Sequence, residues 1–166
     1  MLLKGSCHCN SINFEVESNT PVPYMRCYCS ICRKVGSGAP FGTNIMGNKA
    51  SLKITKEEAK ISEYKAIMNR EAPESEHKLA GNIRYFCSKC SSNLWAYDEK
   101  YAEWVYPVAS AIDTPLPTPP KICHIMLNSK ANWVPPISES STDNCFTEYP
   151  NKSVEDWHKS NSQWTN

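Results

Sequence analysis

The chain has no apolar run that could cross a bilayer. Its longest such stretches, like Trp104 to Ile112, fall far short of the roughly 20 residues that a spanning helix needs. It also lacks a charge excess. Eighteen Lys and Arg against 17 Asp and Glu leave a net +1, which removes the electrostatic footprint expected of a nucleic-acid binder or of a protein held on an anionic membrane. Met1-Leu2-Leu3-Lys4 shows no apolar leader, so the expected location is cytoplasmic, with the nucleus left open. There is no repeat of solenoid period and no sign of a second domain in 166 residues. Hydrophobic residues reach only 40%, a little under the globular norm, which suggests that a metal assists the core.

Cysteine is what the chain has in quantity. Nine is an odd number for a disulfide framework, and a reducing compartment favours metal ligation over disulfides. Seven of the nine fall in three clusters: Cys7-His8-Cys9, Cys27-Tyr28-Cys29-Ser30-Ile31-Cys32 and Cys87-Ser88-Lys89-Cys90. Spacings of one and two residues let a single turn aim two sulfurs at one ion, at about 2.3 Å per zinc–sulfur bond. Scattered core cysteines do not pair this closely three times over.

Seven thiolates divide most simply into four and three. Cys27, Cys29 and Cys32 are compact and can supply three ligands to one zinc. Cys7, Cys9, Cys87 and Cys90 then close a structural four-cysteine site that staples the N-terminal segment to the third cluster. A three-ligand site keeps an open position, as a catalytic zinc requires. Three thiolates also leave the site with a formal charge of −1, which suits a soft thiol substrate better than water. The rival arrangement closes that site with His8, His77, His124 or His158 and makes it purely structural. Of these His124 is the best placed, on an expected strand beside Cys123. Arg33, next to Cys32, is the candidate for steering an anionic thiol. Lys34, Arg84 and Lys89 are weaker candidates for the same role. Cys123 is expected as a core thiol and Cys145 as an exposed one, and Trp95, Trp104 and Trp133 are read as core.

The coarse pattern is mainly β. Strands are expected at Ile12 to Glu17, Phe41 to Ile45, Leu52 to Thr55, Glu63 to Ile67, Ile83 to Phe86, Leu94 to Tyr97, Trp104 to Ile112 and Ile122 to Leu127. Pro107 argues for an edge or a bulge in its strand. A short helical turn is expected over 30–36, ended by Gly36-Ser37-Gly38, and Lys56 to Lys60 is helix-friendly. Beyond Pro136 the composition turns polar. There Ser153 can cap a short helix whose Trp157 and Trp164 share one face.

Gly5-Ser6-Cys7-His8-Cys9, the Cys27 to Lys34 run, Arg84-Tyr85-Phe86-Cys87-Ser88-Lys89-Cys90 and the His124 to Trp133 stretch together resemble the glutathione-dependent formaldehyde-activating enzyme family, which also includes centromere protein V. The match covers roughly residues 3–136 in the family's order. The resemblance implies a zinc-stabilised β-tent fold of several short twisted sheets with one or two short helices. It implies two Zn²⁺ per chain in the four-and-three partition. It also implies a carbon–sulfur lyase activity that joins glutathione, or a similar small thiol, to an aldehyde-type carbon such as formaldehyde. The family usually has glycine where this chain has Asn10 and Ser91. Asn10 tolerates the left-handed backbone that such a turn needs, and Ser91 does so less easily. The expected organisation is a two-zinc domain over 1–137 and a polar extension over 138–166. The alternative function is a non-catalytic zinc module for protein or nucleic-acid interaction, against which the near-neutral charge counts. A small thiol such as glutathione is the expected partner, no membrane is involved, and homo-oligomerisation is left open.

Purified under reducing conditions without chelator, the protein should carry up to two zinc ions per chain, one bound more weakly. Elemental analysis that finds disulfides and no metal would overturn this expectation.

Overall fold

The structure is a computed structural model, and it describes residues 1–36, 38–137 and 144–166. The expected boundary after residue 137 and the Ser37 of the expected helix stop abut or lie outside these residues. In chain order the strands are β1 (Leu2–Ser6), β2 (Ile12–Glu17), β3 (Met25–Cys27), β4 (Gly47–Asn48), β5 (Lys53–Glu57), β6 (Ile61–Ile67), β7 (Leu79–Cys87), β8 (Asn93–Tyr97), β9 (Trp104–Pro107) and β10 (Cys123–Ile125). Two short α-helices, α1 (Ser30–Val35) and α2 (Val154–Ser160), join them.

The strands form three small sheets. One is antiparallel, in the order β1-β2-β5; a larger one runs β4-β9-β8-β7-β6; the third is the parallel pair β10-β3. The alternation of Ile12-Asn13-Phe14-Glu15-Val16-Glu17 does what period-two patterning predicts: Ile12, Phe14 and Val16 are buried and Glu17 is exposed. Leu3, Phe14, Val16, Ile45, Leu94, Trp95 and Val105 make the main core, and the Cys7 and Cys87 side chains are part of it. Phe14 meets Trp95 edge-on at 5.1 Å. Gly5 is required in β1 by close approach. A Cβ there would lie 2.5 Å from the Phe14 ring and 2.6 Å from the Ala111 carbonyl oxygen.

Several sequence expectations change. Phe41 to Ile45 forms only isolated bridges, at Gly42 and Asn44, and β1 is a strand that no polar alternation announced. The helix-friendly Lys56 lies in β5, because register with β2 pairs it to Asn13 and overrides local propensity. The Trp104 to Ile112 run splits into β9 and a 3₁₀ turn over Ala109–Ala111. Pro107 sits not on a sheet edge but at the last residue of an inner strand opposite Trp95, with its carbonyl accepting from the Ile45 N–H at 2.8 Å. Trp133 is 63% exposed rather than core.

Helix α2 begins as its sequence suggests. The Ser153 Oγ accepts from the Asp156 N–H at 3.0 Å. Seven residues cannot hold a helix alone in water, so packing must hold this one. Trp157 stacks on the Tyr24 ring with centroids 3.7 Å apart and 11° between planes. The His158 ring is fully buried, with Nδ1 2.7 Å from the Val154 carbonyl oxygen and Nε2 accepting from the Val22 N–H at 3.3 Å. Val22, Tyr24, Cys123, Ile125 and Trp157 thus form a second core beneath the β3/β10 pair.

Trp157→Ala should therefore cost about 3–5 kcal/mol of stability in a urea titration, the range for emptying a buried aromatic site. An unchanged midpoint would mean that α2 does not help to hold this core together.

Candidate metal centres

Two hairpin-like knuckles build the first centre. Cys7 follows β1. Asn10 turns the chain in the left-handed region at φ 55°, and its N–H donates to the Cys7 carbonyl at 2.8 Å. The Ile12 N–H then donates to the Cys7 Sγ at 3.3 Å. The second knuckle repeats the plan at the end of β7. Ser91 takes φ 61°, and its N–H donates to the Cys87 carbonyl at 2.8 Å. So both positions where the family uses glycine do adopt the strained conformation, Ser91 included. The His8 N–H donates to the Ser92 Oγ at 3.0 Å and ties one knuckle to the other.

The result places the Sγ atoms of Cys7, Cys9, Cys87 and Cys90 within 4.8 Å of one another. Cys7 and Cys9 are 3.5 Å apart, and Cys9 and Cys87 3.8 Å. Four ligands on a tetrahedron with 2.3 Å bonds are spaced roughly 3.8 Å apart, so this set fits one zinc-sized ion. Burial pushes the Cys7 thiol up to about 11, whereas hydrogen bonds from Ser11 lower Cys9.

The second centre sits where β3 ends and α1 begins. Cys27 is the last residue of β3, opposite Ile125 of β10. On its other side its N–H donates to the Gly42 carbonyl at 2.8 Å, and its carbonyl accepts from the Gly42 N–H at 2.9 Å. Cys29 is the N-cap of α1, with its Sγ accepting from the Cys32 N–H at 3.3 Å. The sulfurs of Cys27, Cys29 and Cys32 all lie within 4.8 Å of one another. Gly42 presses against this corner, since a Cβ there would meet the Cys32 Cβ at 3.0 Å. Hydrogen bonds from Cys27 and Cys32, joined by the backbone N–H groups of Cys32 and Ile31, hold Cys29 far below the ordinary thiol range. Cys27 is driven above it by sharing its proton with Cys29 and Cys32.

Among the described residues no histidine joins either group. His124 lies on β10, with its Nδ1 3.0 Å from the Tyr28 hydroxyl. His158 is occupied in the second core, and His77 Nε2 lies 3.1 Å from the Ala72 carbonyl oxygen. Cys123 is buried on β10 as expected. Cys145 is half-buried rather than exposed, with its backbone opposite His124. Arg33 is half-buried on α1, and its Nε has no hydrogen-bond partner. Two further groups reach the three-cysteine centre. The charge of Arg84, on β7, favours the Cys32 thiolate. Tyr149 interacts electrostatically with Cys27, Cys29, Cys32 and Arg84. In the sequence Arg84 is only a weak candidate, and Tyr149 is not a candidate at all. The one local signal for Tyr149 is the strand-like Phe146-Thr147 just before it in a polar tail.

A mainly β fold of short sheets carrying two cysteine clusters, each fit for an ion, defines the class of protein. The sequence pattern described as glutathione-dependent formaldehyde-activating enzyme matches residues 2–129. A Halomonas elongata protein, provisionally named a glutathione-dependent formaldehyde-activating enzyme, is 42% identical over 158 residues, covering 95% of each chain. The chain belongs to the glutathione-dependent formaldehyde-activating enzyme family. The crystal structure of a Rhodobacter sphaeroides protein shares the fold, with a TM-score of 0.51 at 20% identity over 69% of this chain and 91% of that one. No helix among the described residues is long and apolar enough to cross a membrane.

The two centres predict opposite outcomes for single sulfur removals. Cys87→Ser should lose the fold along with its metal, because structural metal binding in small domains is worth on the order of 10 kcal/mol of folding free energy. Cys29→Ser should stay folded with about one ion fewer. Circular dichroism with elemental analysis checks both, and an unfolded Cys29→Ser protein would mean that the two roles are exchanged.

Proposed function

We propose that the protein is a zinc-dependent carbon–sulfur lyase of the S-hydroxymethylglutathione synthase type, acting on glutathione or a similar small thiol and on formaldehyde or a related aldehyde carbon. The observation that carries this reading is the unequal partition of sulfurs: four in one cluster and three, with no fourth protein ligand among the described residues, in the other. Cys7, Cys9, Cys87 and Cys90 would hold a structural zinc, and Cys27, Cys29 and Cys32 a catalytic one. Bound there, zinc supplies Lewis acidity toward a thiol or a carbonyl oxygen.

The rest of the chemistry falls to the chain. Cys27, Cys29 and Cys32 would supply three of the ligands and leave a substrate atom to complete the set. Arg33, and Arg84 with it, supply positive charge against an anionic thiol. In the reaction the thiol sulfur adds to the aldehyde carbon. A C–S bond forms, the C=O π bond breaks, and the proton that left sulfur ends on the new hydroxyl oxygen. No general base is needed if the thiol already enters as thiolate. We place both centres in a unit spanning residues 1–137, with 138–166 packed on it, and we place the protein in the cytoplasm, where glutathione is abundant. The relative's name and the family's description support the thiol and aldehyde substrates. The alternative, a non-catalytic interaction module, calls for a closed second centre and a charged docking face. The three-sulfur cluster and the net charge of +1 disfavour both requirements.

Mixing glutathione with formaldehyde and following S-hydroxymethylglutathione by exchange NMR provides the test. The protein should raise the exchange rate well above the spontaneous one, and Cys29→Ser or a chelator should abolish the increase. An exchange rate equal to the spontaneous one with zinc-loaded protein, across a panel of thiols and aldehydes, would sink the assignment.

A further inference from the structure

The segment after residue 144 lies beyond the part of the chain that the family pattern matches, yet it is built into the wall of the three-cysteine centre. The backbone groups of β10 point alternately to its two sides. The Cys123 N–H donates to the Tyr24 carbonyl at 2.8 Å, and the Ile125 carbonyl accepts from the Tyr28 N–H at 3.0 Å, both toward β3. The His124 carbonyl accepts from the Phe146 N–H at 2.8 Å, and the Met126 N–H donates to the Glu148 carbonyl at 3.0 Å, both toward the opposite side. The 145–148 segment is therefore a third, parallel partner of β10, entering at the His124–Cys145 bridge. Ile125 faces Cys27 across one edge, and the 145–148 segment runs along the other. All three segments run the same way, so Cys29 and Tyr149 leave the row at the same end.

Tyr149 is not core filler, since 70% of it is exposed. Even so, it interacts with all three thiols and with Arg84. A phenol is an O–H donor at neutral pH. Arg84 arrives from the other side, on β7, and its Nη1 is buried with no hydrogen-bond partner. A buried guanidinium N–H without an acceptor is costly unless something outside the chain supplies one.

We propose that Tyr149 and Arg84 form the substrate-recognising wall of the three-cysteine centre, Tyr149 donating a hydrogen bond to the oxygen on the aldehyde carbon and Arg84 binding a carboxylate of the thiol substrate. This assignment rests on the thiol–aldehyde reading above. It gives the C-terminal segment a function in the site, which is to carry a donor to the face that the matched part of the chain leaves open. It also fits an acidic thiol such as glutathione better than a neutral one, because the unpartnered guanidinium calls for an anion.

Three variants and two thiols test it on the zinc-loaded full chain. Tyr149→Phe should keep its metal content and melting temperature, the residue being mostly exposed. It should bind glutathione within about twofold of the parent in calorimetry, and lose about tenfold or more in turnover with formaldehyde, as expected for losing one hydrogen bond to developing charge. Arg84→Gln should bind glutathione at least about tenfold more weakly while binding 2-mercaptoethanol as the parent does, and Arg84→Lys should recover part of the loss. Parental turnover in Tyr149→Phe, or an Arg84→Gln variant that weakens both thiols equally, overturns the wall while leaving the thiol–aldehyde activity standing. A parent protein that binds neither thiol overturns that reading and this one together.

Discussion

The structure depends on four cysteine sulfurs meeting where two sheets end. Cys7 and Cys9 close the hairpin between β1 and β2, in the three-stranded sheet. Cys87 and Cys90 close the one between β7 and β8, in the five-stranded sheet. A zinc ion held by all four would bridge the sheets with free energy on the order of 10–16 kcal/mol. The whole net stability of a domain is about 5–15 kcal/mol. Such a contribution would decide whether a chain with a modest apolar fraction and three small sheets folds at all. The knuckles are shaped to match: left-handed Asn10 and Ser91, the Ile12 N–H on Cys7 and the His8 N–H on Ser92 hold the sulfurs in place.

The second centre is built by a different logic. Its three sulfurs come from one short stretch, so holding them together costs little chain entropy. What surrounds them comes from far away. Gly42 packs against Cys32, Arg84 reaches in from the five-stranded sheet, and Tyr149 arrives along β10. A compact ligand run with a wall of distant parts suits a site whose ligands must stay put while its substrate changes. The first centre reverses this, with distant ligands joined by a local hydrogen-bond lattice. That contrast supports the proposal of an architectural role for the first centre and a chemical one for the second.

The helix α2 and the Tyr24–Trp157 stack support the second centre indirectly. They pack against the β3/β10 pair, with Cys27 itself against this core, and bury His158 as a connector between residues 22 and 154. A histidine at a buried hydrogen-bonding crossroads is a poor metal ligand, because both its nitrogens are already in use. His124 is likewise engaged, through its Nδ1, with Tyr28. Among the described residues the second cluster thus gathers three sulfurs and no fourth ligand group.

What depends on short spacing was legible in the sequence alone. CxC, CxCxxC and CxxC each fix which sulfurs a single turn can gather, and the alternation in Ile12 to Glu17 fixes which side chains enter the core; both are local geometry. The tertiary structure decided what depends on which segments meet. Register with β2 made Lys56 part of a strand, and the place of β9 between β8 and β4 put Pro107 inside a sheet. The two edges of β10 brought the 145–148 segment, and Tyr149 just after it, to the same strand as Cys27, more than 100 residues earlier in the chain. No spacing rule reaches that far. A contact between distant residues is set by the packing of whole sheets, and a lone tyrosine in a polar tail carries no local mark of the site it joins.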